Sequence, residues 1–239
     1  MFNNIPKSCA TLRPAAPPKP ISWSLGKVLA LATSMDNDSI EIKRLSQKCL
    51  FLLAMASGAR LSKLVALVRG KDHIQILQSG EALLFPDPVF LAKNELPNKR
   101  WGPWRIPPLV EDTSLCPVTC LRAYLARTPN YQSGQLFRGD TGSKLTLNQI
   151  RAKLLYFIKT ADPTSVPAGH DVRKVATSIN YFEFMDFADL CHYTGWKSPR
   201  VFYKCYLKQI GEVRHGLVAA GGIVRPAPAP SDPDSPDSV

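Results

Sequence analysis

Three short segments of this sequence gather side chains able to handle a phosphate or a proton. Gly58-Ala59-Arg60-Leu61-Ser62-Lys63-Leu64 places an arginine at the turn between two helical patterns. Gly169-His170-Asp171-Val172-Arg173 sets His170 and Arg173 three residues apart, on one face of a helix. Gly195-Trp196-Lys197-Ser198-Pro199 leads into Phe202, Tyr203 and Tyr206, on a helix that Pro199 is suited to start. A guanidinium grips phosphate oxygens through two parallel hydrogen bonds and stays charged. An imidazole titrates near neutrality, an indole N–H donates without titrating, and a tyrosine hydroxyl can serve as a nucleophile. Taken singly, each residue also has an ordinary structural reading. Arg60 would pair with a surface acid, His170 would cap its helix, Trp196 would be core, and Tyr206 would be a half-buried aromatic.

The elements that must position these groups follow from length, charge and period. The 239 residues suffice for one sizeable domain that folds without staples. Hydrophobic and charged fractions of 45% and 21% exclude wholesale disorder. Thirty Lys+Arg against 19 Asp+Glu give a net charge of +11, and Asp232, Asp234 and Asp237 all lie in the tail, so the body is more basic still. Such a charge attracts polyanions, nucleic acid first and acidic membrane second. The spacing of Cys9, Cys49, Cys116, Cys120, Cys191 and Cys205 forms no zinc pattern, and free thiols in a reducing intracellular compartment are expected. No apolar run has the length of a membrane span, and no secretory leader pattern is present.

Pro14, Pro17, Pro18 and Pro20 make the first twenty residues an extended linker. A short helix is expected over Trp23–Leu31. From Ser39 the apolar positions Ile42, Leu45, Cys49, Leu52, Leu53 and Ala56 predict a helix ending at Gly58, followed directly by a shorter one over Leu61–Val68. His73–Leu77, Ala82–Lys93 and Trp104–Leu109 read as an antiparallel sheet with a long loop before its last strand. Helices are expected again over Pro117–Arg127, Leu147–Thr160, Asp171–Tyr181, Phe187–His192 and Pro199–Gln209. The expected class is mainly α with one small antiparallel β-sheet (α+β). The Pro- and Asp-rich tail from about residue 225 reads as disordered.

Together the three segments run GxRxSxL, then HxxR, then Gly-Trp followed by a tyrosine. In that order they resemble the signature of the tyrosine recombinase (phage-integrase-like) catalytic domain, over roughly Ser39 to Ile210. The expected sheet also falls where that family has its own. At finer grain, the runs Cys116–Thr128 and His170–Ser178, the pair Leu136-Phe137 and the tryptophan after Gly195 resemble recombinases of DIRS-type and Ngaro-type retrotransposons.

The resemblance implies cleavage and rejoining of duplex DNA through a 3′-phosphotyrosine, serving integration of a mobile element. Charge builds on the non-bridging phosphate oxygens in such a transfer, so catalysis is positioning and charge stabilisation. Arg60 and Arg173 would supply two forks. His170 would add a hydrogen bond or take the tyrosine proton. Trp196 stands where many relatives carry a histidine, and Tyr206 would be the nucleophile with Tyr203 as competitor. Relatives protonate the leaving 5′-oxygen with a lysine at a turn of the small sheet, which points to Lys93, with Lys99 as the alternative. No cofactor, metal or ATP is implied. The implied partner is double-stranded DNA, with self-association on it as a dimer or tetramer, in the nucleus and away from membranes.

The match has departures. Lys63 stands where relatives usually carry glutamate. The step of ten residues from Trp196 to Tyr206 is one longer than the commonest family spacing, and one residue turns a helix by about 100°. Residues 1–38 would be a Pro-rich linker with at most a remnant of the family's DNA-clamping region, residues 39–210 the catalytic domain, and residues 211–239 an extension. Two other readings stand beside the main one. The first is a decayed or domesticated DNA-binding module of the same fold. The second is type IB topoisomerase activity, which uses the same residues to relax supercoils.

Overall fold

Ser24 accepts a hydrogen bond from the Lys27 amide at 3.3 Å and so caps the first helix. The computed structural model describes residues 21–92, 102–131, 134–183, 189–190, 202 and 206. In it α1 spans Leu25–Ser34, α2 Ile42–Ser57, α3 Leu61–Val65, α4 Pro117–Arg127, α5 Leu147–Ala161 and α6 Asp171–Glu183. Five short strands complete it: β1 Val68–Arg69, β2 Ile74–Ile76, β3 Ala82–Leu84, β4 Trp104–Ile106 and β5 Gly134–Gln135. The class is mixed helix with small antiparallel sheets.

Helix α2 is the axis of the molecule. Every residue from Leu45 to Ser57 is buried, and α3, α4, α5, α6 and β4 all pack against it. Its run from Cys49 to Ala56 is wholly apolar, as a helical stretch enclosed on every side requires. Its one buried ammonium, Lys48, donates to the Met35 carbonyl at 2.6 Å, and burial lowers its pKa. Phe51 meets Trp23 at 6.3 Å and Phe157 at 5.4 Å between ring centres, joining the segment before α1 and α5 to α2. The residues of α1 share one apolar cluster with those of α2, α4, α5 and α6. Thr146 and Gln149 cap the start of α5 reciprocally.

The sheet β2–β3–β4 is antiparallel, with Leu84 opposite Ile74 and Trp104. Ala82, Leu84 and Ile106 bury one face. Of the run expected over Ala82–Lys93, whose last residue lies outside the described residues, the strand of the three-stranded sheet ends at Leu84, and Pro86 then forms only an isolated bridge with Leu67. Pro86 has no N–H for the ladder, and Asp87 instead starts a turn, accepting from the Val89 and Phe90 amides at 2.9 Å each. The short helix expected to reach Val68 ends at Val65, because Val68 and Arg69 pair with Gln135 and Gly134 of β5. Arg69 locks that second sheet. Its guanidinium donates to the carbonyls of Thr128 (2.9 Å), Tyr131 (3.1 Å) and Leu136 (3.3 Å) and lies 5.1 Å from the Tyr124 ring centre. The Gln135 amide then donates to the carbonyls of Val65 (3.1 Å) and Leu145 (2.9 Å), tying the end of α3 to the segment before α5. Among the described residues no helix is long and apolar enough to cross a membrane.

Candidate functional site

The site begins where α2 ends. Gly58 adopts φ 53°, a left-handed conformation that lets its amide close on Ala54 while the chain turns. Two residues later Arg60 is extended and stands at the N-cap position of α3. Its side chain is half-buried, and its carbonyl accepts the amides of Lys63 and Leu64. The helix turn therefore fixes the backbone from which the guanidinium projects.

Arg173, on the first turn of α6, is buried and reaches back to this turn, donating from Nη1 to the Gly58 carbonyl at 2.6 Å. Its guanidinium carbon also lies 5.3 Å from the centre of the Tyr206 ring. Tyr206 is held a second time from α6: Ser178 Oγ donates to its carbonyl at 3.1 Å. Phe202 is fully buried, its ring 5.1 Å from that of Tyr181. One helix thus carries Arg173, Ser178 and Tyr181, which together seat the segment bearing Phe202 and Tyr206. Arg173 thus links the turn that precedes Arg60 to the segment bearing Tyr206, across distant parts of the sequence.

His170 occupies the turn before α6 and is exposed; its carbonyl accepts the Lys174 amide at 3.0 Å. Partial desolvation, followed by the nearby cations Lys174, Arg151 and Arg173, pushes its imidazole below the usual histidine value, with Asp171 working the other way. A neutral imidazole at pH 7 can accept a proton. Asp171 shapes this turn. It is buried, accepts the Ala168 amide at 2.7 Å and Ser22 Oγ at 3.4 Å, and pairs with Lys174 at 3.3 Å. Its charge sits at the N-terminus of α6, where the helix dipole favours an anion.

Lys63 points its ammonium at the Trp104 ring, 5.9 Å from the centre. That charge is therefore turned toward β4. Of the other expected site residues, Lys93, Lys99, Trp196 and Tyr203 lie outside the described residues, as do Cys9, Cys191 and Cys205. Cys49, Cys116 and Cys120 are buried free thiols, and burial holds the Cys49 thiol well above its ordinary pKa. Among the described residues no group of three or more His, Cys, Asp or Glu could hold a metal ion.

Sequence reasoning did not single out Arg151, Lys174 or Ser178. Lys174 follows Arg173 directly and was legible as a charge. Ser178 had no signal, because its role depends on a residue 28 positions away. Chemically the residues offer one guanidinium held in place, a second at a fixed backbone position, a neutral imidazole and a tyrosine hydroxyl, groups able to act on a phosphodiester. No protein-family model matches the chain, and no characterised protein matches it in sequence.

Proposed function

We propose that this chain is the catalytic domain of a tyrosine recombinase that cleaves and rejoins duplex DNA during integration of a mobile element, acting in the nucleus. The observation that carries the reading is the double engagement of Arg173, bonded to the turn that presents Arg60 and stacked on the ring of Tyr206. It is joined by the order of the motifs and by the net charge of +11.

In the proposed reaction the Tyr206 hydroxyl attacks the scissile phosphorus. The P–O5′ bond breaks and a 3′-phosphotyrosine bond forms. Arg60 and Arg173 stabilise the charge on the two non-bridging oxygens, and neutral His170 takes the tyrosine proton. Trp196 donates its indole N–H to the phosphate. Lys93, or alternatively Lys99, gives a proton to the leaving 5′-oxygen. Attack by a 5′-hydroxyl on the phosphotyrosine reverses each transfer and joins the strands. The bond energy is conserved throughout, so the reaction draws on no nucleotide. Two or four copies would assemble on the DNA to exchange strands.

The test is a covalent adduct. The protein is incubated with end-labelled duplex DNA, including nicked substrates that trap the intermediate, and resolved on a denaturing gel beside Tyr206→Phe and Tyr203→Phe. The expected result is an adduct lost with Tyr206→Phe alone. Loss with Tyr203→Phe alone would move the nucleophile. No adduct, with salt-sensitive retention of DNA, would replace the enzyme by a DNA-binding module of the same fold.

A further inference from the structure

Helix α5 presents Arg151 to the turn that carries His170. A β-carbon built on Gly169 would fall 2.6 Å from Arg151 Nε, 3.0 Å from Cδ and 3.2 Å from Cγ. The arginine therefore lies so close along the glycine backbone that any larger residue would push its side chain aside. Gly169 is buried and its φ is not left-handed, so what glycine supplies here is room and not conformational freedom. Arg151 itself is exposed. Among the described residues no carboxylate lies within ion-pair distance of it, whereas Lys27, Lys43, Lys153, Lys174 and Arg105 each have one.

An exposed guanidinium with no acid beside it, seated in a slot kept open by a glycine, is preorganised for an anion from outside. Cations outnumber acids around this turn: Lys174, Arg151 and Arg173 all repel a proton on His170, against the one opposing charge of Asp171. A phosphate, by contrast, would relieve that repulsion. The DNA backbone offers successive phosphates along each strand, so a strand held by Arg60 and Arg173 presents another anion nearby.

We propose that Arg151 is a further phosphate-binding residue, gripping a phosphodiester adjacent to the one held by Arg60 and Arg173, with Gly169 as the slot that seats it. The proposal rests on the DNA-cleaving reading above, and it adds to that reading a contact that sets where along the strand the scissile phosphate lies.

The experiment measures DNA affinity of the full chain against salt, for wild type, Arg151→Ala, Gly169→Ala and Lys159→Ala, with adduct formation on the nicked substrate in parallel. Lys159 removes the same charge from an exposed site eight residues further along α5, about 12 Å away. The logarithm of affinity falls with that of salt by about 0.9 per phosphate neutralised. Arg151→Ala is expected to lower the slope by about one, and Gly169→Ala to do the same although every charge is still present. Lys159→Ala is expected to leave the slope unchanged. Adduct yield at moderate salt should fall with the first two variants. An unchanged slope for Arg151→Ala overturns the proposal, and so does an equal drop for Lys159→Ala, which would mark bulk charge. Wild type without any adduct overturns the cleavage reading instead, while the slopes still decide the phosphate contact. Thermal melts check that Gly169→Ala remains folded, and Arg151→Ala carries the test if it does not.

Discussion

Arg173 Nη1 donates to the Gly58 carbonyl at 2.6 Å across 115 positions of sequence. The bond makes one residue both a structural pin and a member of the proposed site. Arg173→Ala is therefore expected to cost about 1–3 kcal/mol of stability, since it leaves a buried carbonyl without its donor. It should also slow adduct formation by roughly 10²–10³-fold, as loss of one charge-stabilising donor does elsewhere. Arg173→Lys should recover part of the stability and less of the rate, because an ammonium lacks the second fork. Urea titration and single-turnover adduct kinetics separate the two effects.

Gly58 turns the chain with φ 53°. An L-residue there pays about 1–2 kcal/mol, so Gly58→Ala should lower the melting temperature by several degrees. Because Arg60 follows two residues later, the same variant should lower the adduct rate even under conditions where it is fully folded. A melt and a rate at low temperature check both halves.

Ser178 Oγ donates to the Tyr206 carbonyl at 3.1 Å. Removing one such bond is worth about 1 kcal/mol, or roughly a five-fold change if it is expressed in the rate. Ser178→Ala should slow adduct formation by that order and leave the wild-type pH profile in place. Ser178→Thr, which keeps the hydroxyl, should restore most of the rate.

His170 titrates below the usual histidine value of 6.5. In the unfolded chain it protonates first as pH falls, so the unfolded state binds more protons in the window below 6.5. Its contribution to stability is complete above that value, declines as pH drops toward the folded pKa and then levels off. Wild type should lose stability between pH 7 and 5 relative to His170→Gln, measured by denaturant titration at both values. Adduct formation should likewise show an acid limb that His170→Gln removes.

The helical frame was legible because its signals are local and redundant. Leu45, Cys49, Leu52 and Leu53 repeat at helical spacing and end at a glycine. The sheet was legible in outline and overextended in detail, since the β-favouring run beyond Leu84 is interrupted by Pro86 and Asp87. Strands β1 and β5 are two residues each, too short for a period, and they exist because Arg69 finds three carbonyls around it. Within the site, Arg60, His170, Arg173 and Tyr206 were each named from motif order. Which of them touch depends on pairings across a hundred residues or more, and sequence carries no local mark of those. Arg151 was invisible for a related reason: an arginine on a helix surface looks the same whether or not a glycine from another segment makes room for it.

The bond between Gly58 and Arg173, and that of Ser22 with Asp171 across 149 positions, also set an order of events during synthesis. Contacts so far apart in sequence form only after the intervening chain has been made and compacted. The α2–α3 turn emerges from the ribosome early, yet its arginine has no companion until α6 and the Tyr206 segment follow. A nascent or prematurely ended chain would lack both α6 and the Tyr206 segment, so on the function proposed above any capacity to attack a strand would arrive last.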